Sequence, residues 1–193
     1  CEAILQAWYP GQQGGKAVAE VLFGDYNPAG KLPVTFYRNV SQLPDFEDYN
    51  MTGRTYRYMQ DVPLFPFGYG LSYTTFGYGK TVLDKNELTA GQSLKLTVPV
   101  TNTGKRNGEE VVQVYLRKQG DAEGPIKTLR AFKRVSIPAG KTVNVEFDLK
   151  DKELEWWDAQ SNTVRVCPGN YDIMVGGSSK EEDLQLSLIH ISE

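Results

Sequence analysis

The stretch from Leu64 to Phe76 constrains the fold of this chain more than any other. Five of its thirteen residues are aromatic, and Pro66, Gly68 and Gly70 interrupt them. It shows no helical periodicity and no sustained strand alternation. So many rings are unfavourable in water, and the glycines permit turns that other residues disfavour. The stretch therefore predicts an ordered, extended connector that packs between two folded bodies.

The composition is that of an ordinary globular protein, with 40% hydrophobic and 23% charged residues. The formal net charge of −3 provides no basic surface, so we expect no nucleic-acid partner. No apolar run approaches the length of a membrane-spanning helix, and none is predicted. The only histidine is His190, and the only cysteines are Cys1 and Cys167. We therefore expect two free thiols, no metal site and no cofactor.

The N-terminal part has the strand–helix–strand pattern of an α/β domain. Residues 3–8 are a short apolar run, which is typical of a parallel strand buried on both faces. Residues 16–23 carry apolar side chains at helical spacing and predict a helix. Residues 32–36 predict a second strand at a sheet edge, because Pro33 has no N–H for the ladder. One strand–helix–strand unit cannot enclose a core, so we interpret residues 1–36 as the C-terminal remnant of an α/β domain.

Two further regions follow the remnant. Residues 37–76 form a predicted linker with little periodicity up to the connector, and we expect it to cross the surface of domains outside this chain. From 77 to 193 short runs alternate apolar and polar residues, as at 94–100 and 143–149, and Gly, Asn and Pro separate them. This pattern predicts a two-sheet antiparallel sandwich of the fibronectin type III (immunoglobulin-like) type, so the fold class is mainly β.

Three ordered blocks resemble a known family. They are Trp8 to Gly15, Phe23 to Phe36, and Leu64 to Phe76. Together they resemble glycoside hydrolase family 3, the β-glucosidases and β-xylosidases, in which the first two blocks end the middle domain and the third joins it to the last domain. The run Gly108 to Leu116 also has a counterpart in the fibronectin type III-like domain of these hydrolases. Residues 187–193 do not resemble the family's usual ending, and we interpret them as doubtful or added sequence.

The resemblance implies that the parent protein hydrolyses terminal non-reducing β-D-xylose or β-D-glucose residues by a retaining mechanism. It also implies that the nucleophilic aspartate and the acid/base glutamate precede Cys1, so no catalytic residue is assigned here and the chain alone is predicted inactive. The chain would brace the α/β domain, and the oligosaccharide substrate would bind through the N-terminal domains. We expect the parent to be periplasmic or secreted. The alternatives are a non-catalytic carbohydrate-binding or adhesion module and a pure structural spacer.

The acidic residues of the chain are candidates for catalytic groups, because glycoside hydrolysis needs two carboxyl groups that flank the scissile bond. They fall in three groups: Glu109 with Glu110; Asp45, Glu47 and Asp48; and Glu153, Glu155 and Asp158 beside Trp156 and Trp157. The first two are consecutive in a strand and point to opposite faces. The cluster of Asp45, Glu47 and Asp48 is typical of a solvated surface. In the third, the tryptophans are expected to cover the sandwich, and a sugar-binding surface is the alternative.

Four residues before the predicted helix are candidates for a substrate-binding rim: Trp8, Tyr9, Gln12 and Gln13. They follow the carboxyl end of the predicted parallel strand, which is the edge where ligands bind in open α/β sheets. An indole there can stack on the C–H face of a sugar, while the glutamines bind its hydroxyl groups. The alternative is that Trp8 packs against another domain of the parent, since interfaces favour Trp and Tyr.

Overall fold

The computed structural model describes residues 2–193, and most of its regular structure consists of β-strands. The helices are α1 (Gly14–Phe23), α2 (Thr55–Tyr58) and α3 (Asp151–Leu154), and 3-10 turns lie at Val40–Gln42 and Glu181–Asp183. The strands are β1 (Phe76–Tyr78), β2 (Val82–Leu83), β3 (Glu87–Thr89), β4 (Leu94–Asn102), β5 (Gly108–Lys118), β6 (Thr128–Ile137), β7 (Thr142–Leu149), β8 (Trp156–Asp158), β9 (Thr163–Arg165), β10 (Gly169–Gly176) and β11 (Leu184–Ser192). None of the helices is long and apolar enough to span a membrane within residues 2–193.

The strands form two packed sheets and a separate hairpin. In the first sheet, β7 pairs with one edge of β4, while β1 and β2 share the other edge. The second sheet has the order β3-β11-β10-β5-β6 and is antiparallel except between β3 and β11. The hairpin consists of β8 and β9. This architecture confirms the predicted mainly β, fibronectin type III-like sandwich.

The hydrophobic core lies between the two sheets and follows the predicted alternation. Among the buried core residues are Leu94, Leu96, Val98 and Val100 of β4; Val112, Val114 and Leu116 of β5; Val145, Phe147 and Leu149 of β7; and Tyr171, Ile173 and Val175 of β10. Full burial of each aliphatic side chain stabilises the fold by about 1.5–3 kcal/mol relative to exposure. The period-2 pattern therefore accounts for both the strands and their packing.

The outer face of the second sheet is also covered, and this fixes where the N-terminal part lies. Gln113 and Tyr115 alternate with the core residues of β5 and so point away from the core, yet they are only 3% and 0% exposed. Tyr56 of α2, together with Phe67 and Gly68 of the connector, lies over them. The connector is therefore packed onto the sandwich, as the aromatic stretch predicts.

Helix α1 confirms the prediction for residues 16–23, although it begins two residues earlier at Gly14. It ends where Gly24 adopts a left-handed conformation (φ 81°) and donates its backbone N–H to the Val21 carbonyl oxygen over 3.1 Å. Such a glycine is a common helix terminator, because it lacks the Cβ that disfavours positive φ.

The two strands predicted beside α1 are wrong. Residues 3–8 contain no strand, and Ile4 is 69% exposed. Of residues 32–36, only Phe36 makes a single antiparallel bridge, to Phe65. A parallel strand depends on hydrogen bonds from neighbouring strands, and none of the strands of residues 2–193 pairs with these segments. An apolar run alone does not provide the neighbouring strand to which such a strand must pair.

The linker prediction needs a correction as well. Its first part is irregular, but residues 54–58 contact the sandwich rather than only domains outside this chain. The Arg57 carbonyl oxygen accepts a hydrogen bond from the Ile126 N–H over 2.6 Å, and the Tyr56 hydroxyl accepts one from the Leu129 N–H over 3.0 Å. The linker is thus anchored beside the start of β6.

Candidate functional site

The four predicted rim residues lie together in the segment that leads into α1. Trp8 is 51% exposed and Tyr9 fully exposed, and both glutamines are exposed. The Trp8 backbone has a φ of 52°, which is uncommon for a residue other than glycine. Pro10 to Gly14 then form the turn that starts the helix, with a hydrogen bond from the Gly14 N–H to the Gly11 carbonyl oxygen. The segment presents an open surface, and none of the four residues lines the cavity between the linker and the sandwich or the one beside β2 and β11.

The end of α1 is fixed to both the connector and the sandwich by Asn27. Its side-chain oxygen accepts hydrogen bonds from the Tyr73 N–H and the Ser72 hydroxyl, each over 2.8 Å. Its side-chain nitrogen donates to the Asn107 carbonyl oxygen over 2.9 Å. The Tyr73 hydroxyl donates to the Val21 carbonyl oxygen over 2.6 Å. One asparagine thus joins the helix, the connector and the turn before β5.

The centre of the junction is the contact between Gly68 and Gln113. The Gln113 side-chain nitrogen donates to the carbonyl oxygens of Gly68 (3.2 Å) and Gly177 (2.6 Å), and its oxygen accepts from the Tyr115 hydroxyl over 2.5 Å. Gly68 has a φ of 78°, and a Cβ there would lie 2.1 Å from the Gln113 side-chain oxygen. Both the backbone conformation and the close approach therefore require glycine. At Gly70 a Cβ would lie 2.2 Å from the Gly30 carbonyl oxygen.

Aromatic rings fill the space around this contact. Tyr56 stacks on Phe67 with ring centroids 4.2 Å apart and meets Tyr115 edge-on at 5.9 Å. Burial raises the pKa of the Tyr115 hydroxyl well above its usual value, so the group stays protonated and donates. Phe65 stacks on Tyr69 at 5.6 Å. Tyr73, by contrast, remains 46% exposed, so it is less buried than its place in the aromatic stretch suggested.

A buried ion pair also crosses the junction. Lys31 Nζ lies 3.1 Å from Glu110 Oε1, and the Tyr78 hydroxyl donates to the same oxygen over 3.0 Å. Burial raises the pKa of the Glu110 carboxyl, and Lys31 and Tyr78 partly offset that effect. Desolvation of the charged form and the adjacent Glu110 raise the pKa of the Tyr78 hydroxyl. Both charges of the Lys31–Glu110 pair are thus compensated within an enclosed site, which is typical of a structural ion pair.

The structure separates Glu109 and Glu110. Glu110 pairs with Lys31, whereas Glu109 pairs with Arg134, whose guanidinium also donates to the Tyr26 hydroxyl. Two such carboxyl groups cannot flank one glycosidic bond. In the acidic cluster of the linker, Asp45 and Glu47 are exposed and Asp48 is half-buried; Asp45 accepts from the Glu47 N–H and Asp48 accepts from Asn50.

The neighbouring tryptophans behave differently from each other. Trp156 is buried, and its Nε1 donates to Asp121 over 2.6 Å. Trp157 points to the opposite side of the hairpin and is 53% exposed. The expectation that the tryptophans cover the sandwich is therefore confirmed for Trp156 only.

The remaining predictions concern thiols, metals and the last residues. Cys167 is a buried free cysteine, while Cys1 lies outside the described residues. Within residues 2–193, no cluster of His, Cys, Asp and Glu side chains is suited to a metal ion. Residues 187–192 pair as part of β11, and the His190 ring contacts the Asn170 side chain at 2.8 Å. Their interpretation as doubtful or added sequence stays a prediction.

Fold and junction together define a class: a fibronectin type III-like sandwich whose outer sheet face is covered by the packed connector and the segment before it. Comparison with family models agrees, because residues 1–73 match the glycosyl hydrolase family 3 C-terminal domain and residues 110–179 match the fibronectin type III-like domain. The chain belongs to glycoside hydrolase family 3 and corresponds to the C-terminal part of its members.

Individual relatives support this assignment. The chain is 57% identical, over 96% of its length, to a protein named xylan 1,4-beta-xylosidase from Xylanibacter ruminicola, and it covers 21% of that protein. It is 38% identical, over 92% of its length, to a periplasmic beta-glucosidase from Salmonella typhimurium, of which it covers 25%. All of the chain superposes on a quarter of a solved β-glucosidase from Erythrobacter marinus, with a TM-score of 0.85 and 43% identity. The chain thus spans about a fifth to a quarter of these relatives.

Proposed function

We propose that the parent protein is a β-glycosidase that releases terminal non-reducing β-D-xylose or β-D-glucose residues with retention of anomeric configuration. Family membership carries this proposal, because the relatives above are named as β-xylosidases and β-glucosidases. A retaining reaction needs two carboxyl groups about 5–5.5 Å apart. The separate pairing of Glu109 and Glu110 supports a location of both catalytic groups outside this chain.

We infer that this chain braces the α/β domain. The buried contacts of Gln113 and the Lys31–Glu110 pair support that role, since both join the α/β remnant and connector to the sandwich. The proposed boundaries are residues 1–36 for the α/β remnant, 37–76 for the linker and 77–193 for the sandwich. A free-standing carbohydrate-binding or adhesion module is less well supported, because the connector covers the outer face around Tyr115.

The direct test of the reaction uses the parent protein and an aryl β-xyloside, with the aryl β-glucoside in parallel. Proton NMR of the first-formed sugar reports its anomeric configuration before mutarotation. We expect the β-anomer to appear first, because two successive displacements restore the original configuration. An α-anomer as first product would contradict the retaining mechanism, and no turnover of either substrate would contradict the proposed function.

We also propose that Trp8, Tyr9, Gln12 and Gln13 form a rim of the substrate site in the parent. The exposure of Trp8 and its left-handed backbone support this, because such conformations concentrate at functional sites. In the parent, Trp8→Ala should raise KM for xylo-oligosaccharides more than for aryl xylosides and leave the melting temperature unchanged. Trp157→Ala is the matched control for removal of an exposed indole. A large fall in melting temperature with unaltered kinetics would assign Trp8 to domain packing.

The location of the parent remains a proposal too. We expect it to be periplasmic or secreted, and the name of the Salmonella typhimurium relative, a periplasmic beta-glucosidase, supports the first option. Fractionation of cells that express the parent would test it, with the periplasmic or extracellular fraction expected to contain the activity.

A further inference from the structure

The linker from Leu43 to Met51 exposes much apolar surface, and we call these residues the exposed segment. Four of its large side chains are apolar, namely Leu43, Phe46, Tyr49 and Met51, and their exposed fractions are 50%, 95%, 89% and 48%. Single exposed apolar residues are common on protein surfaces. Four within one short stretch, two of them almost fully exposed rings, are typical of a surface that another folded body covers.

Hydrogen bonds stabilise the conformation of the exposed segment. Asp45 accepts from the Glu47 N–H over 2.9 Å, and Asp48 accepts from the Asn50 N–H over 2.9 Å. The Arg54 guanidinium then donates to the carbonyl oxygens of Asp48 and Asn50. All of these bonds stay within residues 45–54, so the exposed rings are carried by an ordered backbone. An ordered segment loses little conformational entropy when it binds, and this favours association.

The linker is anchored on both sides of the exposed segment. Before it, the Gln42 side-chain nitrogen and Arg38 Nε both donate to the Val62 carbonyl oxygen, over 3.3 Å and 3.1 Å. After it, the hydrogen bonds of Tyr56 and Arg57 hold α2 on the sandwich. The exposed segment is therefore the uncovered part of a linker that is otherwise fixed in place.

The charges of the exposed segment define the kind of surface that it fits. Asp45, Glu47 and Asp48 give it three negative charges, and it contains no lysine or arginine. None of the ion pairs within residues 2–193 involves these three carboxylates. A complementary surface has an apolar pocket for the rings and basic side chains around it. A second copy of this chain fits less well, because its own formal net charge is −3.

The length of the relatives indicates where such a surface lies. The chain spans about a fifth to a quarter of them, so in a parent of similar length most of the polypeptide lies outside this chain. Residues 1–73, which include the exposed segment, match the family's C-terminal domain, whereas the fibronectin type III-like match starts at residue 110. By this match the exposed segment belongs to the same domain as α1, whose Leu22 and Phe23 are exposed as well.

We propose that the exposed segment docks Phe46 and Tyr49 into an apolar pocket with a basic rim, in the part of the parent that precedes Cys1. The two rings are the anchors, because aromatic side chains are enriched at interfaces and contribute much of the binding energy. The three carboxylates pair with the basic rim. This inference rests on membership of the family and not on the proposed glycosidase reaction.

The test replaces Phe46 of the parent with the photo-crosslinking analogue p-benzoylphenylalanine. Irradiation links this side chain to residues that it contacts, a denaturing gel separates the products by mass, and mass spectrometry identifies the linked peptides. We expect a product with the mass of one parent chain, in which position 46 is linked to residues that precede Cys1. The same replacement at Trp157 is the matched control, since this indole is exposed on the β8–β9 hairpin. It should not link to those residues.

Melting temperatures provide the second measurement. Phe46→Ala removes a ring that is exposed in the 193-residue chain and is expected to be buried in the parent. It should lower the melting temperature of the parent by more than about 2 °C and leave that of the chain within about 1 °C.

Four results would overturn the docking proposal. They are the absence of a link from position 46 to residues that precede Cys1, a product with the mass of two parent chains, equal linking from position 157 to the same residues, and a fall in melting temperature that is no larger in the parent than in the chain. Neither measurement involves turnover. A parent that hydrolyses aryl glycosides without the link would refute the docking alone, and an inactive parent with the link would refute the glycosidase function alone.

Discussion

Replacement of Gln113 by methionine tests the structural role of this chain at the centre of its junction. Methionine has a similar length but cannot form the hydrogen bonds that the glutamine makes. Three buried groups would lose their partner: the Tyr115 hydroxyl and the carbonyl oxygens of Gly68 and Gly177. Each buried group without a partner costs about 1–3 kcal/mol. Because the three groups adjoin one another and their costs are not additive, we expect unfolding free energy to fall by about 3–5 kcal/mol.

Urea denaturation monitored by tryptophan fluorescence measures this change, since Trp156 is buried in the sandwich. The matched control is Gln160→Met, which replaces an exposed glutamine near the tip of the β8–β9 hairpin and should change the unfolding free energy by no more than about 0.5 kcal/mol. A loss below about 1 kcal/mol for Gln113→Met would show that the connector does not depend on this contact. An equal loss of unfolding free energy in Gln113→Met and Gln160→Met would refute the reasoning as well.

Two further predictions concern the same junction. Gly68→Ala should lower the melting temperature more than Gly53→Ala. Both positions have positive φ, but only at Gly68 would a Cβ approach the Gln113 side chain, at 2.1 Å. Equal falls in melting temperature would show that the close approach is not required. Lys31→Met should raise the pKa of the Glu110 carboxyl further. A raised carboxyl pKa in the folded state means that stability is greatest at acidic pH and declines as pH rises through that pKa, so the variant should lose more stability at about pH 7.5 than at about pH 4. Urea titrations at both values decide, and a loss independent of pH would contradict the pairing.

The sandwich and the connector could be predicted from the sequence because both depend on local patterns. Period-2 alternation in β4 and β7 specifies which faces are buried, and the glycines at 68 and 70 indicate close backbone approaches. The burial of Gln113 could not be predicted in this way. By alternation it belongs to the outer face of β5, where a polar residue normally meets water. Only the packing of a connector from elsewhere in the sequence makes that position buried.

The errors have a related physical cause. The apolar run at residues 3–8 looks like a buried strand, but a strand needs partners that residues 2–193 do not supply. In the pair Trp156 and Trp157, alternation shows that the two side chains point to opposite faces. It does not show which face meets the core, so the sequence alone is compatible with a sugar-binding surface at these tryptophans as well as with packing. The rim residues Trp8, Tyr9, Gln12 and Gln13 remain a prediction for the same reason, since their environment depends on the rest of the parent.

The most direct test of the central claim compares the purified chain and the parent protein on aryl β-xyloside and aryl β-glucoside. We predict that the parent turns over at least one substrate and the chain turns over neither, because we propose that both catalytic carboxyl groups belong to the parent's other domains. In the parent, Glu109→Gln and Glu110→Gln should retain turnover at temperatures where each variant stays folded. Hydrolysis by the chain alone, or loss of turnover in a folded parent through either substitution, would contradict the account.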